Sequence, residues 1–165
     1  MAFSRVLVIS QLPPPIHGSS MMTRALVDAL DEAAVEWTLV DRRFSTTVAE
    51  VGRFNLRKIG AGFSLFGRVL RATMSRPRSA TILFATNRPF SFLVDVVVSE
   101  LLRLTRQARI LYIHTDGFSA LAEHNRLFGL LVARLFSGAT AVVCLGPTLE
   151  RDVKRWTGKT RVRSI

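Results

Sequence analysis

Val6-Leu7-Val8-Ile9-Ser10-Gln11-Leu12-Pro13-Pro14-Pro15-Ile16-His17-Gly18-Ser19-Ser20 is the stretch whose reading decides the fold. Val6 to Ile9 is a continuous apolar run, the pattern of a strand covered on both faces rather than half solvated. A proline-rich turn follows. Ser19 or Ser20 can then cap the free N–H groups of a helix, with Met22, Leu26, Ala29 and Leu30 falling on one face of it. Strand, loop and helix in this order form the opening of a βαβ unit.

The same alternation continues downstream. Short β-branched runs at Glu36 to Val40 (closing at Asp41), Ala80 to Ala85, Ala108 to Ile113 and Thr140 to Leu145 predict four more strands. Between them, helical spacing predicts helices over Asn87 to Thr105 (Phe92, Val96, Ser99 and Leu102 inward), Ser119 to Phe136 (Leu121, Phe128, Leu131 and Leu135 inward) and Pro147 to Trp156. Arg161 to Ile165 reads as the start of a sixth strand. The fold class is α/β, a Rossmann-like open parallel sheet with helices on both faces.

Composition agrees with one packed domain. The chain has 165 residues, 48% of them hydrophobic, enough to fill a core of that size and to exclude disorder. Twenty-three basic against twelve acidic residues leave a net charge of +11, a surface that attracts polyanions. Cys144, the one cysteine, lies in an apolar strand run, where a thiol is buried and inert. A single cysteine forms no intramolecular disulfide and fits a reducing, cytoplasmic setting. No export signal is evident, and charge or proline breaks each apolar run before the ~18 residues that would span a bilayer.

Residues 41 to 78 carry no strand signal. From Arg53 to Arg78 there are seven basic residues and no acidic one. Ile59, Phe63, Phe66 and Leu70 recur at helical spacing, with Arg68 opposite and Arg71 on the flank. This basic amphipathic helix has two readings: an ordinary crossover helix with its stripe in the core, or a segment lying on an anionic membrane surface through Arg57, Lys58, Arg68 and Arg71.

In an open parallel sheet the ligand site lies beyond the C-terminal ends of the strands. Connectivity therefore brings His17-Gly18-Ser19, Thr86-Asn87-Arg88, His114-Thr115-Asp116-Gly117 and Gly146-Pro147-Thr148 to one rim. Gly18 precedes a helix N-terminus, where backbone N–H groups and the helix dipole favour an anion such as phosphate. There is no Gly-x-Gly-x-x-Gly fingerprint, no Gly-Lys-Ser/Thr phosphate loop and no Gly-x-Ser-x-Gly elbow, and no metal-ligand spacing within one element. No metal and no resident cofactor are expected.

Val6 to Ser20, leading into Met22-Thr23-Arg24-Ala25-Leu26, resembles the opening of the retaining glycosyltransferases of the GT-B type, group 1 (family four). Tyr112-Ile113-His114-Thr115-Asp116-Gly117-Phe118 resembles that family's His-containing turn after its fourth strand, and Thr140 to Leu149 its next strand and helix. The resemblance implies that residues 1–165 are an N-terminal, acceptor-side domain whose partner, a C-terminal domain binding the nucleotide-sugar donor, is absent from this chain. It implies His114 at the reaction centre and Gly18 as a loop near the donor phosphate. His17, Ser19, Asn87, Arg88, Thr115 and Asp116 join them as candidate substrate-binding residues. Relatives often carry paired glycines where this chain has His17-Gly18.

The reaction so implied moves a sugar from a nucleotide-sugar co-substrate to a glycan or lipid-linked acceptor with retention, in the cytoplasm or at the inner face of the membrane. This fragment alone is expected to be inactive. Two other readings remain: a stand-alone flavodoxin-like domain that binds a phosphorylated ligand without chemistry, and a nucleic-acid binder. The second has only the charge in its favour, since no DNA- or RNA-reading motif is present, and no nucleic-acid partner is expected.

Overall fold

The computed structural model describes residues 5–42, 56–75 and 79–165. β1 (Arg5–Ser10), β2 (Glu36–Asp41), β3 (Ala80–Ala85), β4 (Ala108–Ile113), β5 (Ala141–Cys144) and β6 (Arg161–Ser164) form one sheet in the order β2-β1-β3-β4-β5-β6. Every pairing is parallel. The connecting helices are α1 (Gly18–Glu32), α2 (Leu56–Ser75), α3 (Pro89–Leu104), α4 (Phe118–His124), α5 (Arg126–Phe136) and α6 (Pro147–Thr157). The chain is thus an α/β protein with a Rossmann-like sheet.

The two faces are covered unequally, because each right-handed crossover lays its helix on the face set by its direction of travel. The step from β1 to β2 runs one way and every later step runs the other. On one face Val6, Val8, Ile82, Phe84 and Tyr112 pack under Met22, Leu26 and Leu30 of α1. On the opposite face Leu7, Ile9, Leu83, Leu111 and Val142 join the larger core, with α2 to α6 above them. Alternation along β1 therefore divides its apolar run between two cores, which is why no polar residue interrupts it.

Several expectations are corrected. The cap of α1 is His17, with Gly18 already helical, rather than Ser19 or Ser20. The buried line of α1 is Ser20, Thr23 and Val27, and Ala29 faces solvent. Thr23 can sit inward because its hydroxyl is paired with that of Ser10 at 2.6 Å.

The single helix expected over Ser119 to Phe136 is two. Asn125 adopts extended backbone and its side chain accepts from the Phe128 N–H at 2.9 Å, starting α5 afresh. In α2 the packed residues are Leu65 and Val69, with Phe66 half buried, while Phe63 and Leu70 point outward. The core-facing stripe is thus rotated from the one that spacing suggested. The side chains of Arg57, Lys58 and Ile59, and the rest of the basic stretch before residue 56 and after residue 75, lie outside the described residues.

Asp152 of α6 closes the other half of the fold. Its carboxylate accepts from the N–H groups of Gly117, Phe118 and Ser119 at 2.8, 2.8 and 3.0 Å, while the Ser119 hydroxyl donates to the Asp152 carbonyl at 2.8 Å. The first turn of α4 thereby receives its anion from within the chain. Asp152→Ala leaves three donors without their acceptor and should cost about 2 kcal/mol, a fall of roughly 4–8 °C in thermal midpoint, with Asp152→Asn milder. An unchanged midpoint for Asp152→Ala in calorimetry contradicts this role.

Candidate functional site

β1, β3 and β4 end side by side, so the segments that follow them share one rim. His114 directly follows β4. Its ring lies 5.8 Å from that of Phe84, which in turn stacks on Tyr112 at 4.4 Å. Nδ1 is buried with no partner, and Nε2 forms no hydrogen bond among the described residues. A proton on Nε2 avoids burying a donor without an acceptor, so the neutral tautomer presents Nε2–H as the working end.

Burial pushes the His114 pKa down from 6.5 to about 4, helped next by the positive charge of Arg42 and last by His17. At neutral pH the ring is uncharged, able to give or take a hydrogen bond but not to act as an imidazolium acid. The folded protein resists protonating it while the unfolded chain does not. His114 therefore costs nothing above pH 6.5 and draws stability down as pH falls from 6.5 towards 4.

Arg42, whose charge acts on this ring, is paired with Asp95, and neither residue is among those that the sequence pattern singles out. Arg42 Nη1 lies 2.7 Å from Asp95 Oδ1 and also donates to the Phe84 carbonyl, while the Arg42 N–H donates to the Ser10 carbonyl at 2.9 Å. The other Asp95 oxygen accepts from the Thr86 N–H at 2.9 Å. The ends of β1, β2 and β3 and the first turns of α3 are thus tied through one buried pair. Burial lifts the Asp95 pKa from 3.8 to about 6, against the pull of Arg42. Its stability effect runs opposite to that of His114, favouring the fold below pH 3.8 and fading as pH rises through 6.

Asp95 left a signal in the sequence, since an acid on the inward face of an apolar helix requires a partner. Arg42 left less, since it follows β2, an edge strand whose loop is not among those that connectivity brings to the rim.

The remaining candidates divide into occupied and open groups. His17 Nδ1 accepts from the Ser20 N–H at 3.3 Å and faces the Ser19 hydroxyl at 3.1 Å, while Ser20 returns the capping bond to the His17 N–H at 3.0 Å. As Nδ1 accepts, Nε2 carries the proton, and the Gln11 amide packed against it must offer its oxygen. Both ring nitrogens of His17 are therefore engaged locally.

The N–H groups of Gly18 and Ser19, in contrast, have no acceptor among the described residues. A Cβ on Gly18 would meet nothing within 4 Å among the described residues, so its side of the α1 start is uncrowded. Asn87 donates to the Asp116 carbonyl at 2.5 Å and pins the Thr115-Asp116-Gly117 turn. Gly117 needs to be glycine there: its φ is +99°, and a Cβ would fall 2.6 Å from the Asn87 amide. Thr115 Oγ1 is buried without a partner, Asp116 is exposed, and Arg88 is exposed at the start of α3.

Cys144 is buried, and burial raises its thiol to about 11, as its apolar run implied. A cavity of about 950 Å³ opens elsewhere, between the N-terminal ends of β5 and β6 and the end of α6, lined by Gly138, Thr140, Trp156 and Lys159 among others. Strands of a parallel sheet present ligands at their C-terminal ends, so this hollow does not displace the rim as the candidate site. Among the described residues no helix is long and apolar enough to cross a membrane, and no three His, Cys, Asp or Glu side chains gather as metal ligands.

No family model matches the chain, and no curated protein resembles it closely enough to stand as a relative.

The Arg42 contribution to His114 is directly measurable. In Arg42→Met/Asp95→Asn, which removes both buried charges together, His114 should titrate up to about one pH unit above its wild-type value yet stay below 6.5, since burial remains the larger cause. Imidazole NMR reads this. A wild-type His114 titrating at 6.5 or above contradicts the assignment.

Proposed function

We propose that this chain is the acceptor-side half of a retaining glycosyltransferase of the GT-B type, working with a donor-binding domain to move a sugar from a nucleotide-sugar donor to a glycan or lipid-linked acceptor. The observation that carries this reading is one rim holding a neutral His114 and the pinned Thr115–Gly117 turn, where His114 Nε2 and the N–H groups of Gly18 and Ser19 have no partner among the described residues. The sequence resemblance runs through those same segments. The cleft would form between this rim and the donor-binding domain, in the cytoplasm or at the inner face of the membrane.

The chemistry asks little of this half beyond charge and position. The departing phosphate serves as base for the acceptor hydroxyl, so no protein nucleophile is needed, and the buried Cys144 thiol is not available as one. Gly18 and Ser19 N–H groups, at the positive end of α1, favour the negative charge growing on the leaving phosphate. His114 Nε2–H donates to a sugar hydroxyl or to charge developing at the reaction centre. Asn87 and Asp116 hold the turn that aims it. Arg88, exposed at the start of α3, would meet an anionic acceptor.

The second reading, a flavodoxin-like domain that binds a phosphorylated ligand without catalysis, draws on the open start of α1 alone. Activity separates the two. In the complete two-domain enzyme, His114→Ala should lower turnover about a hundredfold, the scale of losing one transition-state donor, with the thermal midpoint nearly unchanged. Activity within a few-fold of wild type, or lost only in step with unfolding, contradicts the assignment. Sugar transfer by the 165-residue chain alone would overturn the division of labour.

A further inference from the structure

A helix at a protein surface normally turns charged or polar residues outward. α3 does not. Phe92, Val96, Ser99 and Leu102 fill its packed side, and its outward line is again apolar: Leu93, Val97 and Leu104, the last 79% exposed. Glu100, the acid on that line, is neutralised by Arg134 at 2.7 Å. α5 packs beside α3 and repeats the arrangement with Leu127 and Leu130, the latter 70% exposed. On the other side of α3, α2 turns out Phe63, Leu70 and Met74.

Of the twelve large hydrophobic residues exposed among the described residues, these eight lie on three adjacent helices of one layer. Scattered exposed leucines are ordinary, but this concentration is not. Beyond Glu100, which Arg134 and Arg103 together meet, the exposed charged residues on these elements are basic: Arg68 and Arg71 of α2, Arg106 just past α3 and Arg126 of α5.

We propose that the outer face of the α2–α3–α5 layer binds an anionic lipid bilayer, reaching well beyond the basic segment around Arg68 and Arg71. It rests on exposure and charge, and stands or falls separately from the glycosyltransferase reading. A second copy of the chain fits this face poorly, because pairing it with itself brings like charges together. A helical peptide would need a groove, whereas these side chains stand on three ridges, and none of them lines the cavity described above. Leucine, valine and phenylalanine on ridges, with arginines beside them, match the shallow insertion and headgroup attraction of an interfacial surface.

The test is co-sedimentation of the chain with phosphatidylcholine vesicles, with or without roughly a third phosphatidylserine, at low salt and at about 0.5 M salt. Wild type should bind the anionic vesicles, bind neutral ones at least tenfold more weakly, and be released by salt. Val97→Ser/Leu104→Ser/Leu130→Ser should weaken binding at least tenfold, with circular dichroism and thermal midpoint unaltered, and Arg126→Gln should weaken it several-fold at low salt. Wild type failing to bind, or binding unchanged in the triple variant, overturns the proposal. So does weakening seen only in Leu70→Ser/Met74→Ser, which would confine the contact to α2. A wild-type dimer in sedimentation that the triple variant abolishes would make the face an interface between copies instead.

Discussion

The buried pair of Arg42 and Asp95 is the constraint on which the rim of this protein depends. A carboxylate buried within α3 is tolerable because a guanidinium and a backbone N–H meet its oxygens, and breaking such a pair from one side typically costs about 3–5 kcal/mol. The pair fixes where the chain leaves β2, where β3 ends and how α3 begins. It also places a permanent positive charge near His114, which adds to the larger effect of burial in holding the imidazole neutral.

Helix N-termini supply the second organising element, and they are not equivalent. α4 begins against Asp152, so its first N–H groups are already satisfied by an anion from α6. α3 begins with a proline, which removes one donor from its first turn, and has no side-chain cap. α1 has His17 as its cap, which uses the Ser20 N–H, and those of Gly18 and Ser19 have no acceptor among the described residues. Compared with α4, α1 is a start with donors to spare.

The architecture was largely legible in the sequence because parallel strands covered on both sides read as unbroken apolar runs. β4 and α6 fall within a residue of their expected ends, and the inward residues of α3 are those its spacing indicates. The departures have local causes. A histidine side chain capped α1 where serines stood next in line, and Asn125 broke a helix whose apolar spacing continues across the break. In α2, apolar residues occur on both sides, so periodicity could not tell the packed side from the exposed one. The placement of His114, Gly18 and Asn87 at one rim followed from connectivity. The partners of Asp95 and Asp152 did not, because long-range ion pairs and caps leave no spacing in a sequence, even where an inward acid such as Asp95 shows that a partner is needed.

On the reading proposed above, ligands meet this protein at the C-terminal rim, with an anion at the start of α1. Amide NMR of the chain titrated with inorganic phosphate tests it most directly. Saturable shifts should concentrate at Gly18 and Ser19 and extend to the turn at His114 and Thr115. Shifts centred instead on Lys159 and Arg161, at the far end of the sheet, or no saturable shift at any residue, would contradict it.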